Sequence, residues 1–171
     1  MKQLTFFNDC TDPIKPLEKD SQSWKLFIDG ASRNNPGRSG AGVYLLKNEE
    51  PVYKEGFYLG IKTNNQAEYL ALLLGIFSVK NLLNPEDILY VVSDSELLVR
   101  QIKGEYKVKK PELKLLYTCV FSMLKDINYS FCHVLRHLNK EADALANKGI
   151  DDGTPVPQDF SLLLANHGFK L

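Results

Sequence analysis

Apolar and polar positions alternate along this chain with two different periods, and the changes of period mark out its elements. Trp24 to Asp29, WKLFID, is a short β-prone run that stops at Gly30. The following GASRNNPGRSGAG is dense in glycine and holds Asn35, Pro36 and Gly37, which predicts a turn-rich loop. GVYLLK and VYKEGFYLG, separated by Asn48, Glu49, Glu50 and Pro51, predict a hairpin. From Asn65 the period lengthens: Ala67, Leu70, Ala71, Leu74 and Phe77 fall at helical spacing, with Asn64 or Asn65 as N-cap and Asn84-Pro85 as the stop.

Residues 88 to 94, ILYVVSD, form a nearly continuous apolar run ending in an acid, the signature of a strand buried on both faces. SELLVRQIKG predicts a short helix closed by Gly104, and Pro111 opens a longer one. Residues 129 to 136, YSFCHVLR, alternate as a last strand, after which Asn139 caps the helix KEADALANK and Gly149 ends it. The order βββαβααβα predicts a mixed sheet with helices on its faces. Residues 1–21 have no clear period and predict an irregular extension, 22–150 the domain proper, and 151–171 a tail whose SLLLANHGF is a candidate docking helix.

Composition narrows the class. The chain has 171 residues, 44% hydrophobic and 25% charged, with 21 bases against 21 acids, which describes a globular domain able to bury a core and excludes disorder as its main state. Cys10, Cys119 and Cys132 show no CxxC spacing, so neither a disulfide framework nor a zinc ribbon is indicated; a reducing, cytoplasmic setting is expected. The first 20 residues lack an apolar core of the signal-peptide type, and no apolar run reaches membrane-spanning length. Zero net charge weighs against nucleic acid as a partner, because phosphate binding usually leaves a basic excess.

Candidate chemistry then alters that picture. Asp29 and Asp94 end strands, while Glu68 and Asp143 lie in the first turns of helices, the places where an α/β sheet puts ligand sites. Taken singly, the first two read equally as turn residues and the other two as dipole-stabilising acids. Together they suggest oxygen ligands for a divalent cation of the Mg²⁺ or Mn²⁺ type, because strand-end carboxylates are costly to desolvate without one.

Four blocks, IDGASRNNPGRSGAG, TNNQAEYLALLLGI, VVSDSELLV and VLRHLNKEADALAN, resemble in order and spacing the active-site blocks of the type 1 ribonuclease H family. The resemblance spans about residues 24–150 and is to the compact branch, without a basic helical protrusion or an N-terminal hybrid-binding domain. It implies an α/β ribonuclease H-like fold, a five-stranded mixed sheet of order 3-2-1-4-5 with helices on both faces. It further implies a monomeric endonuclease that cuts the RNA strand of RNA–DNA hybrids with two Mg²⁺, leaving 5′-phosphate and 3′-hydroxyl ends, with Mn²⁺ as a substitute.

Asp29, Glu68, Asp94 and Asp143 would be the catalytic, metal-binding carboxylates. Asn35, Asn64 and Asn65 match positions that contact the hybrid, and their amides suit a 2′-hydroxyl that both donates and accepts. His137 corresponds to a histidine that assists proton transfer or product release in some members, and Arg136 is a phosphate contact of similar standing. Lys107, Lys109 and Lys110, in KGEYKVKKPELK, are candidate contacts to the DNA strand. Glu96 stands where many relatives have Gln and would repel phosphate. With four acids committed to metal, 21 bases face 17 other acids, so neutrality no longer opposes nucleic acid. Two other readings share the fold: a nucleic-acid-binding module that does not cut, and a metal nuclease of resolvase or retroelement type.

Overall fold

The computed structural model describes residues 22–171, so the extension expected over 1–21 lies outside the described residues. Five strands and five helices follow one another as β1 (Ser23–Arg33), β2 (Gly37–Lys47), β3 (Glu50–Lys62), α1 (Asn64–Val79), β4 (Ile88–Ser93), α2 (Glu96–Ile102), α3 (Pro111–Leu124), β5 (Asn128–His133), α4 (Lys140–Asp152) and α5 (Gln158–Asn166), with a 3₁₀ turn at Arg136–Leu138. They build one sheet of order β3-β2-β1-β4-β5. The first three strands pair antiparallel, and β1–β4 and β4–β5 pair parallel. The expected strand order and mixed sheet are therefore present. No helix among the described residues is long and apolar enough to cross a membrane.

Helices cover both faces. Asp29 pairs with Gly42, and directly paired residues share a face; its neighbours Ile28 and Gly30 point to the other. On the Ile28 face lies α1, which sets Gly75 against the Leu26 and Ile28 side chains. On the Asp29 face lies α4, whose backbone at Ala142 and Ala146 meets Gly42 and Gly40. The core, from Leu26, Ile28, Val43 and Leu45 through Leu70 to Leu74 to Leu89 and Val91, is fully buried. β4 is buried along its whole length, as its unbroken apolar run predicts.

Several boundaries differ from expectation. α1 stops at Val79, short of the expected Asn84-Pro85, and residues 80–82 form a turn in which Leu82 N donates to Val79 O. Much of the glycine-rich stretch is strand: β1 runs to Arg33, β2 starts at Gly37, and only residues 34–36 turn. Those glycines mark close approach of helices, since a Cβ on Gly30 would sit 2.2 Å from Glu68 N, on Gly40 2.2 Å from Ala146 O, and on Gly42 2.0 Å from Ala142 O. The N-cap of α1 is Thr63, not Asn64 or Asn65, and with Gln66 it forms a reciprocal capping box. β5 ends at His133, and its continuation coils into the 3₁₀ turn.

Gly149 does not end α4 but lies inside it, where the Phe57 backbone leaves no room for a side chain; Gly153, at φ 65°, is the C-cap. Beyond it the chain returns to the domain. Thr154 O accepts from Tyr58 N at the outer strand β3, and α5 buries Phe160 and Leu164 completely, with Phe160 edge-on to Phe77 of α1. Cys119 and Cys132 are both buried.

Candidate active site

Beyond the carboxyl end of β4, where the middle of β1 outruns its parallel partner, Asp29, Glu68 and Asp94 converge. One carboxylate oxygen from each lies within 4.8 Å of the others. β1 carries Asp29 to this point as a nearly buried residue, 6% exposed. Glu68 arrives from the second turn of α1, not the expected first, because the helix already starts at Asn64, and it is held by a hydrogen bond from Gly30 N to its Oε2 at 3.2 Å. Asp94 follows β4 directly, and its Oδ1 accepts from Asn139 Nδ2 at 3.0 Å.

Three carboxylates this close in a partly dry cleft repel one another, and the protonation states record it. Burial, then the charges of Asp94 and Asp143, raise the Asp29 carboxyl to about 7, against a partial offset from Arg136. Burial, then Asp29 and Asp94, also push Glu68 well above the ordinary carboxylate range. A cation would relieve both effects at once. The donor set is all oxygen, without His or Cys, which fits a hard divalent ion such as Mg²⁺ or Mn²⁺ and not zinc.

The remaining expected residues fall into distinct groups. Asp143 is outside the three-acid cluster but lines the same cleft, of about 370 Å³, with Ser32, Arg33, Asn64, Arg136 and Asn147. Its Oδ1 takes Arg136 Nη2 at 2.9 Å. Asn35 and Asn64 are joined, Asn64 N donating to Asn35 Oδ1 at 3.0 Å, so the turn between β1 and β2 is tied to the start of α1. Asn65 is half-buried beside them.

His137 is exposed on the 3₁₀ turn and does not line the acid cleft; with Leu135, Arg136, Lys140 and Asp143 it forms the adjoining cleft. Lys107, Lys109 and Lys110 are exposed on the connection from α2 to α3 and do not line the acid cleft. Glu96 is not a bare charge facing phosphate: Arg100 Nε binds its Oε1 at 2.8 Å, while Arg100 Nη1 binds Glu105 Oε2 at 2.9 Å. The connection that follows is short and carries no helical protrusion. Asn147, not expected from the sequence, lies one helical turn after Asp143 and donates to Asp143 O; the i, i+4 spacing within KEADALANK was the available signal.

A mixed 3-2-1-4-5 sheet with three carboxylates converging at the β1/β4 edge defines the ribonuclease H-like class of α/β proteins. The family described as "Reverse transcriptase-like" matches residues 27–149. The ribonuclease HI of Halobacterium salinarum is 34% identical over 128 residues, covering 74% of this chain and 63% of that protein, so the chain spans somewhat less than two thirds of its relative's length. Its crystal structure superposes with a TM-score of 0.72 at 32% identity, covering 76% of this chain and 98% of that one. LC11-RNase H1, solved in complex with an RNA/DNA hybrid, gives a TM-score of 0.72 at 34% identity and covers 75% and 97%. The chain belongs to the type 1 ribonuclease H family, in its compact branch.

Proposed function

We propose that this protein is a divalent-metal-dependent endonuclease that hydrolyses the RNA strand of RNA–DNA hybrids, leaving 5′-phosphate and 3′-hydroxyl ends. The observation that carries the proposal is the meeting of Asp29, Glu68 and Asp94 oxygens within 4.8 Å, with Asp143 in the same cleft. These four residues would hold two Mg²⁺ or Mn²⁺ ions, which when bound supply activation of the attacking water and stabilisation of the leaving 3′ oxygen.

The protein's own groups do the rest. Asp29, whose carboxyl burial raises to about 7, is partly protonated at neutrality in the cation-free cleft and would serve as a ligand in its ionised form. Arg136, with an exposed side chain, neutralises Asp143 and presents its guanidinium at the rim, where an RNA phosphate enters. Asn35, Asn64 and Asn65 stand at the other rim, and the Asn64 N to Asn35 Oδ1 bond leaves the Asn35 NH₂ to address a 2′-hydroxyl. Lys107, Lys109 and Lys110 track the DNA-strand phosphates, unopposed by Glu96 because Arg100 holds that carboxylate. His137 assists proton transfer or product release from the adjoining cleft. The acid set is complete in one chain, which supports a monomer as the working unit.

The test is to incubate labelled hybrid, duplex RNA and duplex DNA with the protein in Mg²⁺, Mn²⁺ or EDTA, beside Asp94→Asn. Hybrid alone should be cut, only with metal, and not by the variant. Equal cutting of duplex DNA, or full activity of Asp94→Asn, defeats the proposal. His137→Ala should lower turnover with hybrid binding unchanged; an unaltered rate makes His137 a bystander.

A further inference from the structure

Asn139 occupies the N-cap position of α4, yet its side chain does not cap the helix. It is 1% exposed. Its Nδ2 donates twice, to Ile28 O at 2.9 Å and to Asp94 Oδ1 at 3.0 Å. Both partners are acceptors only, so the amide has one orientation, and its Oδ1 is left buried without a hydrogen-bond partner. A capping Asn would instead use that oxygen to accept from a first-turn N–H, satisfying both groups at once. The protein thus forgoes a cap and tolerates an orphaned acceptor, two departures that each oppose folding stability. What it obtains is a joint: the carbonyl preceding Asp29 and the carboxylate of Asp94 are fastened to one side chain. The Asn139 carbonyl, in turn, accepts from Asp143 N at 3.1 Å.

From this we infer that Asn139 is a positioning residue that sets the separation of the Asp29 and Asp94 carboxylates, and the place of Asp143 beside them, so that a divalent cation finds its ligands already spaced. The inference rests on the metal-site reading proposed above. β1, β4 and α4 are brought to the site by different parts of the chain, and the Asn139 side chain at the start of α4 bonds both to β1, at the carbonyl before Asp29, and to Asp94 just after β4. Without it Asp94, which follows β4 on a turn, keeps its place in the chain but loses the donor that aims its Oδ1. Residues that orient metal ligands typically change metal affinity by about 10- to 100-fold when removed.

Isothermal calorimetry of Mg²⁺ binding, without nucleic acid, on the wild type, Asn139→Ala, Asp94→Asn and the double variant tests this. The Mg²⁺ dissociation constant should rise about 10- to 100-fold in Asn139→Ala. In the Asp94→Asn background the same change should add less than twofold. In cleavage assays the half-saturating Mg²⁺ should rise while the KM for hybrid at saturating Mg²⁺ stays at the wild-type value, a split that general loosening of the fold would not produce. Mg²⁺ affinity within twofold of wild type in Asn139→Ala, or an equal loss in both backgrounds, overturns the inference. Should Asn139→Ala fail to fold, the wild type decides: its Asn139 side-chain NH₂ resonances should shift on Mg²⁺ titration with the calorimetric midpoint, and unmoved resonances overturn the inference. If the wild type itself binds no Mg²⁺, the metal-site reading falls; if it binds and the variant binds equally, only the role of Asn139 falls.

Discussion

Asp29→Asn should make the metal-free protein more stable at neutral and alkaline pH while abolishing hybrid cleavage. The Asp29 carboxyl ionises at about 7 in the folded protein, chiefly because it is buried, against an ordinary value of 3.8. For an acid raised in this way, folded and unfolded states are both protonated below about pH 4, and the site costs nothing. Between 3.8 and about 7 the unfolded chain has lost its proton and the folded one has not, so stability falls as pH rises. Three pH units at about 1.4 kcal/mol each amount to roughly 4 kcal/mol at pH 8, and about 2 kcal/mol at pH 5. Asn has the same shape and no charge, so it removes that cost at every pH.

Urea unfolding in EDTA at pH 5 and pH 8, on both proteins, reads the difference directly. The advantage of Asp29→Asn over the wild type should grow by about 2 kcal/mol between the two pH values. Mg²⁺ at pH 8 should then raise the wild-type midpoint and leave that of the variant almost unchanged, because cation binding to the folded state alone is linked to stability. An advantage that is the same at both pH values, or a variant less stable than wild type at pH 8, refutes the reasoning.

Three further outcomes follow from packing and hydrogen bonding away from the acids. Asp87, 2% exposed, accepts from Gln22 N, Trp24 Nε1 and Asn84 N, and although burial opposes ionisation these bonds hold its carboxyl below the ordinary range. Asp87→Ala should lose about 3 kcal/mol, seen in urea midpoints and Trp24 fluorescence, and the deficit of Asp87→Asn should shrink as pH falls below about 4. Gly42→Ala, which sets a Cβ 2.0 Å from Ala142 O, should cost about 3 kcal/mol or more by the same denaturation assay, because neither backbone can yield. Phe160→Ala empties a fully buried site against Phe77 and should cost about 3–4 kcal/mol; a loss below about 1 kcal/mol would mean that α5 is not part of the core.

What could be read from the sequence was what local chemistry dictates. Asp94 directly follows β4 and Asp143 lies in the first turn of α4, so these two stand at element ends that are visible as changes of hydrophobic period. Asp29 and Glu68 do not: β1 continues four residues past Asp29 to Arg33, because the glycines taken for a loop extend the strand, and Glu68 lies beyond the first turn of α1. The capping box of α1 was equally local: Thr63 and Gln66 stand in TNNQ, but the two asparagines drew the cap inward by one or two residues. The glycine-rich stretch misled because glycine carries two meanings. Along a single chain it signals a turn, and here it signals a helix passing at contact distance, which depends on α1 and α4. Asn139 was legible only as a cap, because its true partners lie 111 and 45 residues away.

The same glycines explain why the acids meet at all. Gly30 follows Asp29 directly, and the missing side chain lets the α1 backbone at Ala67 and Glu68 press onto β1, close enough for Gly30 N to hold the Glu68 carboxylate. Gly42 is the strand partner of Asp29, and its missing side chain lets α4 approach at Ala142, the residue before Asp143. Each helix-borne acid therefore reaches the cleft beside a glycine that adjoins Asp29, one on each face of the sheet. A larger residue at either position would lift its helix and carry an acid away from the other three. The burial, and after it the charge repulsion, that raise Asp29 and Glu68 are thus consequences of close packing, and the rest of the core must hold the helices down against the repulsion until a cation removes it.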